Sequence, residues 1–246
     1  MAYRNHEQDL PYTCVTQQDD ELPLAGSGSD FNGPPSINVG INDANLGPIV
    51  PRWDVSSGNT KLHYFVDTNT FTNLAATEAD FTTTKLQEAA DEWNSLGLGL
   101  IISQAASAAT AHFSLIYQQN KGQLIDRRLA EAFFPNDPNR FVIVTDLALD
   151  QRNRGILKNV FLHELGHVLG LRHEFALDKK QQLKLGVMED VDGAVKFKGR
   201  NNRSVMNYTA KPTLRKSDKA AVREFYRLAP GHVIAGGSGP VTVFAP

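Results

Sequence analysis

His163-Glu164-Leu165-Gly166-His167-Val168-Leu169-Gly170-Leu171-Arg172-His173 brings three imidazoles and a carboxylate together in one short run. Ile156, Leu157, Val160, Phe161, Leu165, Val168 and Leu169 recur at helical spacing and predict a buried helix over about 155–169. In such a helix positions i and i+4 share a face about one turn apart, so His163 and His167 can reach one metal ion. Glu164 stands next to the first of them, where its carboxylate can take a proton from a water acidified by the metal. A catalytic zinc needs three protein ligands and one open position. Gly170 explains how the third arrives. A glycine just past the last helical residue can adopt positive φ and turn the chain, so that His173 faces back. The plain alternative is a chance His-Glu-x-x-His on a core helix, but the added Gly170 and His173 at fixed spacing argue against it. One zinc ion is therefore the expected cofactor.

Around this helix the chain reads as an ordinary globular pattern. Lys61–Val66 predicts a strand. Residues 77–96 predict a helix, with Phe81, Leu86, Ala89, Ala90, Trp93 and Leu96 at helical spacing and Gly97 as its stop. Leu98–Ser103, His112–Tyr117, Leu129–Phe134 and Phe141–Thr145 read as further strands, the last two separated by Pro135-Asn136-Asp137-Pro138. Residues 174–213 show little periodicity and read mostly as loop. A final helix is expected from Ser217 or Asp218, as cap, to about Leu228. The flanks differ. Residues 1–51 are rich in Gly, Pro, Ser, Asn and Asp and read as an extended or weakly ordered N-terminal extension. The tail 231–246, with Gly236-Gly237-Ser238-Gly239-Pro240, reads as a flexible end.

Composition excludes some classes. The 246 residues are 41% hydrophobic, enough for a core, and no apolar run approaches the roughly 18 residues of a spanning helix. The net charge of -2 gives no general attraction to nucleic acid or to a membrane. Residues 1–170 carry a balance of -9 and residues 171–246 one of +7, which the simplest reading assigns to a solvated basic face. The polar start, Met1 to Asp9, does not read as a secretory signal peptide. Cys14 is the single cysteine, so no internal disulfide forms.

His163-Glu164-x-x-His167-x-x-Gly170-x-x-His173 resembles the zinc-binding motif of the metzincin metalloendopeptidases, and Ser204-Val205-Met206-Asn207-Tyr208, 33 residues after His173 at Met206, resembles their methionine turn. The resemblance covers about residues 52–230. It implies an α+β fold: a twisted, mostly parallel sheet with an antiparallel edge strand, the active-site helix, and a loop-rich C-terminal subdomain ending in a helix. An upper subdomain would span about 52–170 and a lower one 171–230. It further implies zinc on His163, His167 and His173, with Glu164 as general base and then proton shuttle to the leaving amine. Met206 would form an apolar floor, and Tyr208 would match the tyrosine that stabilises the oxyanion in astacins and serralysins. Leu129–Phe134 would be the edge strand along which a peptide or protein substrate lies. Glu174, directly after the third histidine, is the astacin-like choice, although the residues after it and the missing disulfide cysteines depart from astacins. Serralysin-type glycine-aspartate repeats are absent, so no calcium is expected. The family is mostly secreted, which is the compartment the resemblance favours.

In several metzincins a pro-segment ligand blocks the open metal position, and residues 1–51 are a candidate for such a lock. Cys14 is the candidate thiol ligand, against the plain alternative of an inert cysteine; Asp19, Asp20 and Asp30 are candidate carboxylates. His63 and His112, in expected strands, and His6 and His232, in the tails, read as structural or exposed. Two functions from different classes fit: a zinc endopeptidase, latent through residues 1–51, and a zinc-binding domain of the same fold without proteolytic activity. A zinc hydrolase of small substrates suits an edge strand less well. Glu164 discriminates, since a purely structural zinc site has no use for it.

Overall fold

The computed structural model describes residues 36–119, 128–185, 189, 192–199, 201, 203–209, 211–237 and 239–246. In chain order the strands and helices are β1 (Ser36–Val39), β2 (Ile41–Asp43), β3 (Gly47–Trp53), β4 (Thr60–Val66), α1 (Thr77–Asn94), β5 (Leu100–Gln104), β6 (Phe113–Gln118), β7 (Ala130–Glu131), β8 (Phe141–Thr145), α2 (Asp146–Leu149), α3 (Leu157–Val168), β9 (Leu171–Arg172), α4 (Lys179–Leu185), β10 (Val195–Lys198), α5 (Lys216–Tyr226) and β11 (Val241–Phe244).

The main sheet has the order β5-β4-β6-β8-β7. Its first four strands run parallel, and β7 alone pairs antiparallel, Ala130 opposite Val144. Alternation along the strands makes one face apolar: Leu62, Tyr64, Val66, Leu100, Ile102, Phe113, Leu115, Val142 and Val144 are all buried. α1 and α3 pack against each other over the core. Trp93 locks the pair by donating its indole N–H to the Leu162 carbonyl at 3.0 Å. This is the expected α+β architecture with a mostly parallel sheet and an antiparallel edge. Among the described residues no helix is long and apolar enough to cross a membrane.

The flanks are corrected by the structure. Within the expected extension 1–51, residues from Ser36 onward form strands. β1 lies between β10 and β9, antiparallel to both, and β3 carries β2 on one side and β11 on the other. The tail is likewise tied in, with Val241 opposite Val50 in a parallel ladder. Periodicity misses β1 and β3 because they have no polar face. Residues 49–53 are buried without interruption, and a strand covered on both sides shows no period of two. Buried polar residues also disguise them. Arg52 is buried because its guanidinium donates to the Phe225 and Tyr226 carbonyls at 3.2 and 2.6 Å, placing positive charge at the C-terminal end of α5.

Smaller differences follow the same logic. The strand expected over Leu129–Phe134 keeps only two ladder residues, because Ala132, Phe133 and Phe134 are consecutively buried and turn into the core. Residues 174–213 hold α4 and β10 rather than loop alone. Asp218 does not cap α5 from its N-cap position. Arg215 occupies that position, and Asp218, three residues on, reaches back to accept the Arg215 backbone N–H at 2.8 Å.

Candidate metal centre

α3 is almost entirely enclosed: every residue from Val160 to Val168 is buried. His163 and His167 lie one turn apart on it, with ring centroids 5.0 Å apart. The helix stops where Gly170 takes φ +89° and donates its N–H to the His167 carbonyl at 2.8 Å. A Cβ on Gly170 would sit 2.3 Å from the Pro51 carbonyl oxygen, so both the left-handed backbone and the close passage of β3 require glycine there. Two contacts hold the same helix end: Trp53 of β3 donates to the Val168 carbonyl at 2.7 Å, and Tyr226 of α5 donates to that of Leu169 at 3.1 Å. β9 then carries the chain back along β1 and delivers His173, whose ring centroid lies 4.7 Å from that of His167 and 5.0 Å from that of His163.

The hydrogen bonds settle the tautomers. His163 Nδ1 meets the Val205 carbonyl at 2.8 Å, and His167 Nδ1 meets the Leu171 carbonyl at 2.8 Å. A carbonyl only accepts, so each Nδ1 carries the hydrogen and each Nε2 keeps its lone pair. His173 Nδ1 donates in the same way to the Glu189 carboxylate. The Nε2 atoms converge: His163 Nε2 lies 3.3 Å from His167 Nε2 and 3.1 Å from His173 Nε2, and one ligand atom from each of the three lies within 4.8 Å of the others. Lone pairs facing one another at this distance repel, and a cation among them turns the repulsion into attraction. Burial, and then the neighbouring His173, hold the pKa of both His163 and His167 well below the ordinary imidazole value. Both are therefore neutral donors at neutral pH. The donor set suits zinc.

Glu164 is fully buried beside His163 on the same helix. Met206 is also fully buried, and it passes so close beneath α3 that a Cβ on Gly166 would lie 2.2 Å from its sulfur. Tyr208 stacks edge-on against His173 at 4.9 Å and against Phe175 at 4.7 Å, with His163 at 6.2 Å. The methionine turn is anchored from below by polar groups. The Val205 N–H donates to Asp218 at 3.1 Å, Asn201 donates its amide to Asp218 at 3.1 Å, and the Asn201 backbone N–H donates to Glu174 at 2.6 Å. The Glu174 N–H in turn reaches the Met206 carbonyl at 2.9 Å.

His163, Glu164, His167 and His173 thus come together as their spacing suggests, and Met206 and Tyr208 lie beside them where the resemblance puts them. Cys14, Asp19, Asp20, Asp30 and His6 lie outside the described residues. His63 and His112 stack on each other at 5.5 Å, far along the chain from α3, and His63 Nδ1 meets the Ser103 hydroxyl at 3.1 Å. His232 is exposed. Sequence reasoning missed Glu189, Asn38 and Asp218, all of which contact the site's backbone or ligands. The sequence offers Asp218 only as a helix cap, and nothing in local spacing ties any of the three to the site, because each reaches it from a separate part of the chain.

The sequence profile of the dual-action HEIGH metallopeptidase family matches residues 56–194, which include the whole run from His163 to His173. The family's signature pentapeptide reads His163-Glu164-Leu165-Gly166-His167 here, with leucine at its third place. No curated protein matches the chain. More than half of the chain carries the family's pattern, and the buried histidine triad sits within it: the protein belongs to the dual-action HEIGH metallopeptidases, a metzincin-type family of zinc peptidases.

Proposed function

We propose that this metallopeptidase is an endopeptidase that holds one catalytic zinc on His163, His167 and His173 and uses Glu164 as its general base. The observation that carries the reading is the convergence of three Nε2 lone pairs beside a buried carboxylate on the same helix. Bound zinc supplies Lewis acidity, which lowers the pKa of a water and polarises a carbonyl. Glu164 takes the proton of the attacking water as its oxygen bonds to the peptide carbon. It then delivers that proton to the leaving nitrogen as the C–N bond breaks. Tyr208, packed against His173, donates its phenol hydrogen to the oxyanion. Met206 closes the floor with an apolar surface that keeps water from beneath the imidazoles. An extended peptide binds along β7. Among the described residues that strand is last in the sheet order, which leaves an edge for a new antiparallel partner. A strand bound in mid-length runs past the site in both directions, which suits internal bonds. Latency through Cys14 belongs to the same proposal, as thiolate competition for the open metal position.

The test is cleavage of denatured casein by wild type, Glu164→Gln and Cys14→Ala side by side, with zinc content measured on each. Wild type or Cys14→Ala should cleave, and zinc-loaded Glu164→Gln should lose about 10²–10⁴-fold. A gain in Cys14→Ala over wild type supports the thiol lock. Zinc-loaded proteins that all fail to cleave would hand the site to a non-proteolytic role.

A further inference from the structure

The third histidine is held from the far end of the chain. Asn38, at the centre of β1, is fully buried, and its side-chain amide donates both hydrogens to consecutive carbonyls: His173 at 2.9 Å and Glu174 at 2.8 Å. Two carbonyls cannot face an oxygen, which fixes the orientation of the amide. The Asn38 Oδ1 has no partner among the described residues. Burying it costs free energy without return, so the side chain's contribution lies in its two donors. The same strand grips the preceding residue. Arg172 pairs with Asn38 in the ladder, and its guanidinium donates to the Gly40 carbonyl at 3.1 Å and to Glu189 at 3.4 Å. Glu189 is the group that orients His173 Nδ1. Gly40 sits at φ +86°, where a Cβ would meet the Gly193 carbonyl at 2.4 Å, so the chain is closely fitted just past Asn38.

We infer that Asn38 is a positioning residue of the metal centre: it fixes the two peptide carbonyls at His173 and Glu174, and so aims the third imidazole at the point where the other two converge. The inference rests on the reading of His173 as a zinc ligand. His163 and His167 need no such help, since one rigid helix carries both. His173 lies outside that helix, after a two-residue strand and a glycine turn, so its peptide plane depends on hydrogen bonds. These are the Ala176 N–H on its carbonyl at 3.1 Å, the Glu174 N–H on the Met206 carbonyl at 2.9 Å, and the Asn38 amide. β1 supplies the last of these from a residue 135 positions away. Asn38 therefore acts with the metal site although it lies within residues 1–51.

The experiment compares zinc affinity, by chelator competition, for wild type, Asn38→Asp, His173→Ala and Ile37→Val, together with the apo-state unfolding midpoint of each and the visible spectrum of the cobalt(II) forms. Ile37 is a fully buried neighbour on the same strand, so Ile37→Val lowers stability by packing alone and serves as control. Asn38→Asp should weaken zinc about 10–100-fold, the effect of losing a group that orients a ligand, and should shift the cobalt bands. Ile37→Val should leave both readouts at wild-type values. Should Asn38→Asp lack a cooperative apo transition, Asn38→Ser, which keeps one donor, takes its place with an intermediate loss expected. Wild-type zinc affinity and spectrum in the folded Asn38 variants, beside a weakened His173→Ala, would overturn the positioning role while leaving the ligand reading intact. Wild-type affinity in His173→Ala would remove both.

Discussion

Gly166, like Leu165, has no chemical role in the signature pentapeptide, and its substitution gives a sharp test of the packing beneath the metal centre. In Gly166→Ala the new Cβ would lie 2.2 Å from Met206 Sδ and 3.1 Å from Met206 Cε, with Leu171 Cδ1 at 3.7 Å. Met206 is fully buried, so its thioether can retreat only by displacing the core. Overpacking of this kind costs about 1–3 kcal/mol. Working against it, alanine is favoured over glycine in a helix interior by roughly 1 kcal/mol. The sign should therefore depend on Met206. With Met206 present, Gly166→Ala destabilises. In a Met206→Ala background, itself costing about 2–5 kcal/mol, the obstacle is gone, and the same change should be neutral or stabilising by up to about 1 kcal/mol. Urea unfolding of the four proteins in the presence of chelator isolates the packing from the contribution of bound metal. Equal destabilisation by Gly166→Ala in both backgrounds would refute the placement of Met206 under the helix.

Gly170→Ala should be worse, because the atom in its way is the Pro51 carbonyl of a paired strand and the backbone is left-handed. A loss of at least about 1–3 kcal/mol in urea unfolding is expected, and a near-neutral result would contradict the close passage of β3. Burial raises the pKa of Asp218 to about 6, against the opposing N–H groups of Arg215 and Val205. The folded state therefore holds this proton more tightly than the unfolded one, and stability from this group falls as pH rises from about 4 to 6. The stability lead of wild type over Asp218→Asn should shrink by about 2 kcal/mol across that window, and a pH-independent gap would count against it. Deleting residues 1–51 removes β1, β2 and most of β3. The shortened chain should show neither cooperative unfolding nor zinc retention, measured by urea titration and metal analysis; a folded, zinc-loaded product would show that these strands are dispensable.

What could be read in the sequence was local. His163 and His167 are related by one helical turn, and His173 follows from a single glycine, so three ligands and the base lie within one short run. The parallel strands β4, β6 and β8 announce themselves because one face of the sheet is buried and the other is not, which imposes a period of two. β1 and β3 have no such face: Ile37, Asn38, Val39, Val50, Arg52 and Trp53 are all buried, so polar and apolar residues alternate with nothing to mark inside from outside. The groups that steady the ligands were hidden for a different reason. Asn38 in β1, Asp218 in α5 and Glu189 in the segment between α4 and β10 reach the site from separate parts of the chain, and only the folded chain brings them to its edge. Tyr208 and Met206 became legible through the resemblance of their pentapeptide, not through any pattern of their own.

The most direct test of the metal centre is the zinc K-edge absorption spectrum of the purified, zinc-loaded protein, with metal content determined on the same sample. One zinc per chain, with three imidazole nitrogens at about 2.0 Å and a fourth light-atom ligand, is the expected result. A sulfur scatterer at about 2.3 Å in the fourth position would add Cys14 to the same centre. No stoichiometric zinc, or fewer than three imidazoles around it, would contradict the assignment of His163, His167 and His173.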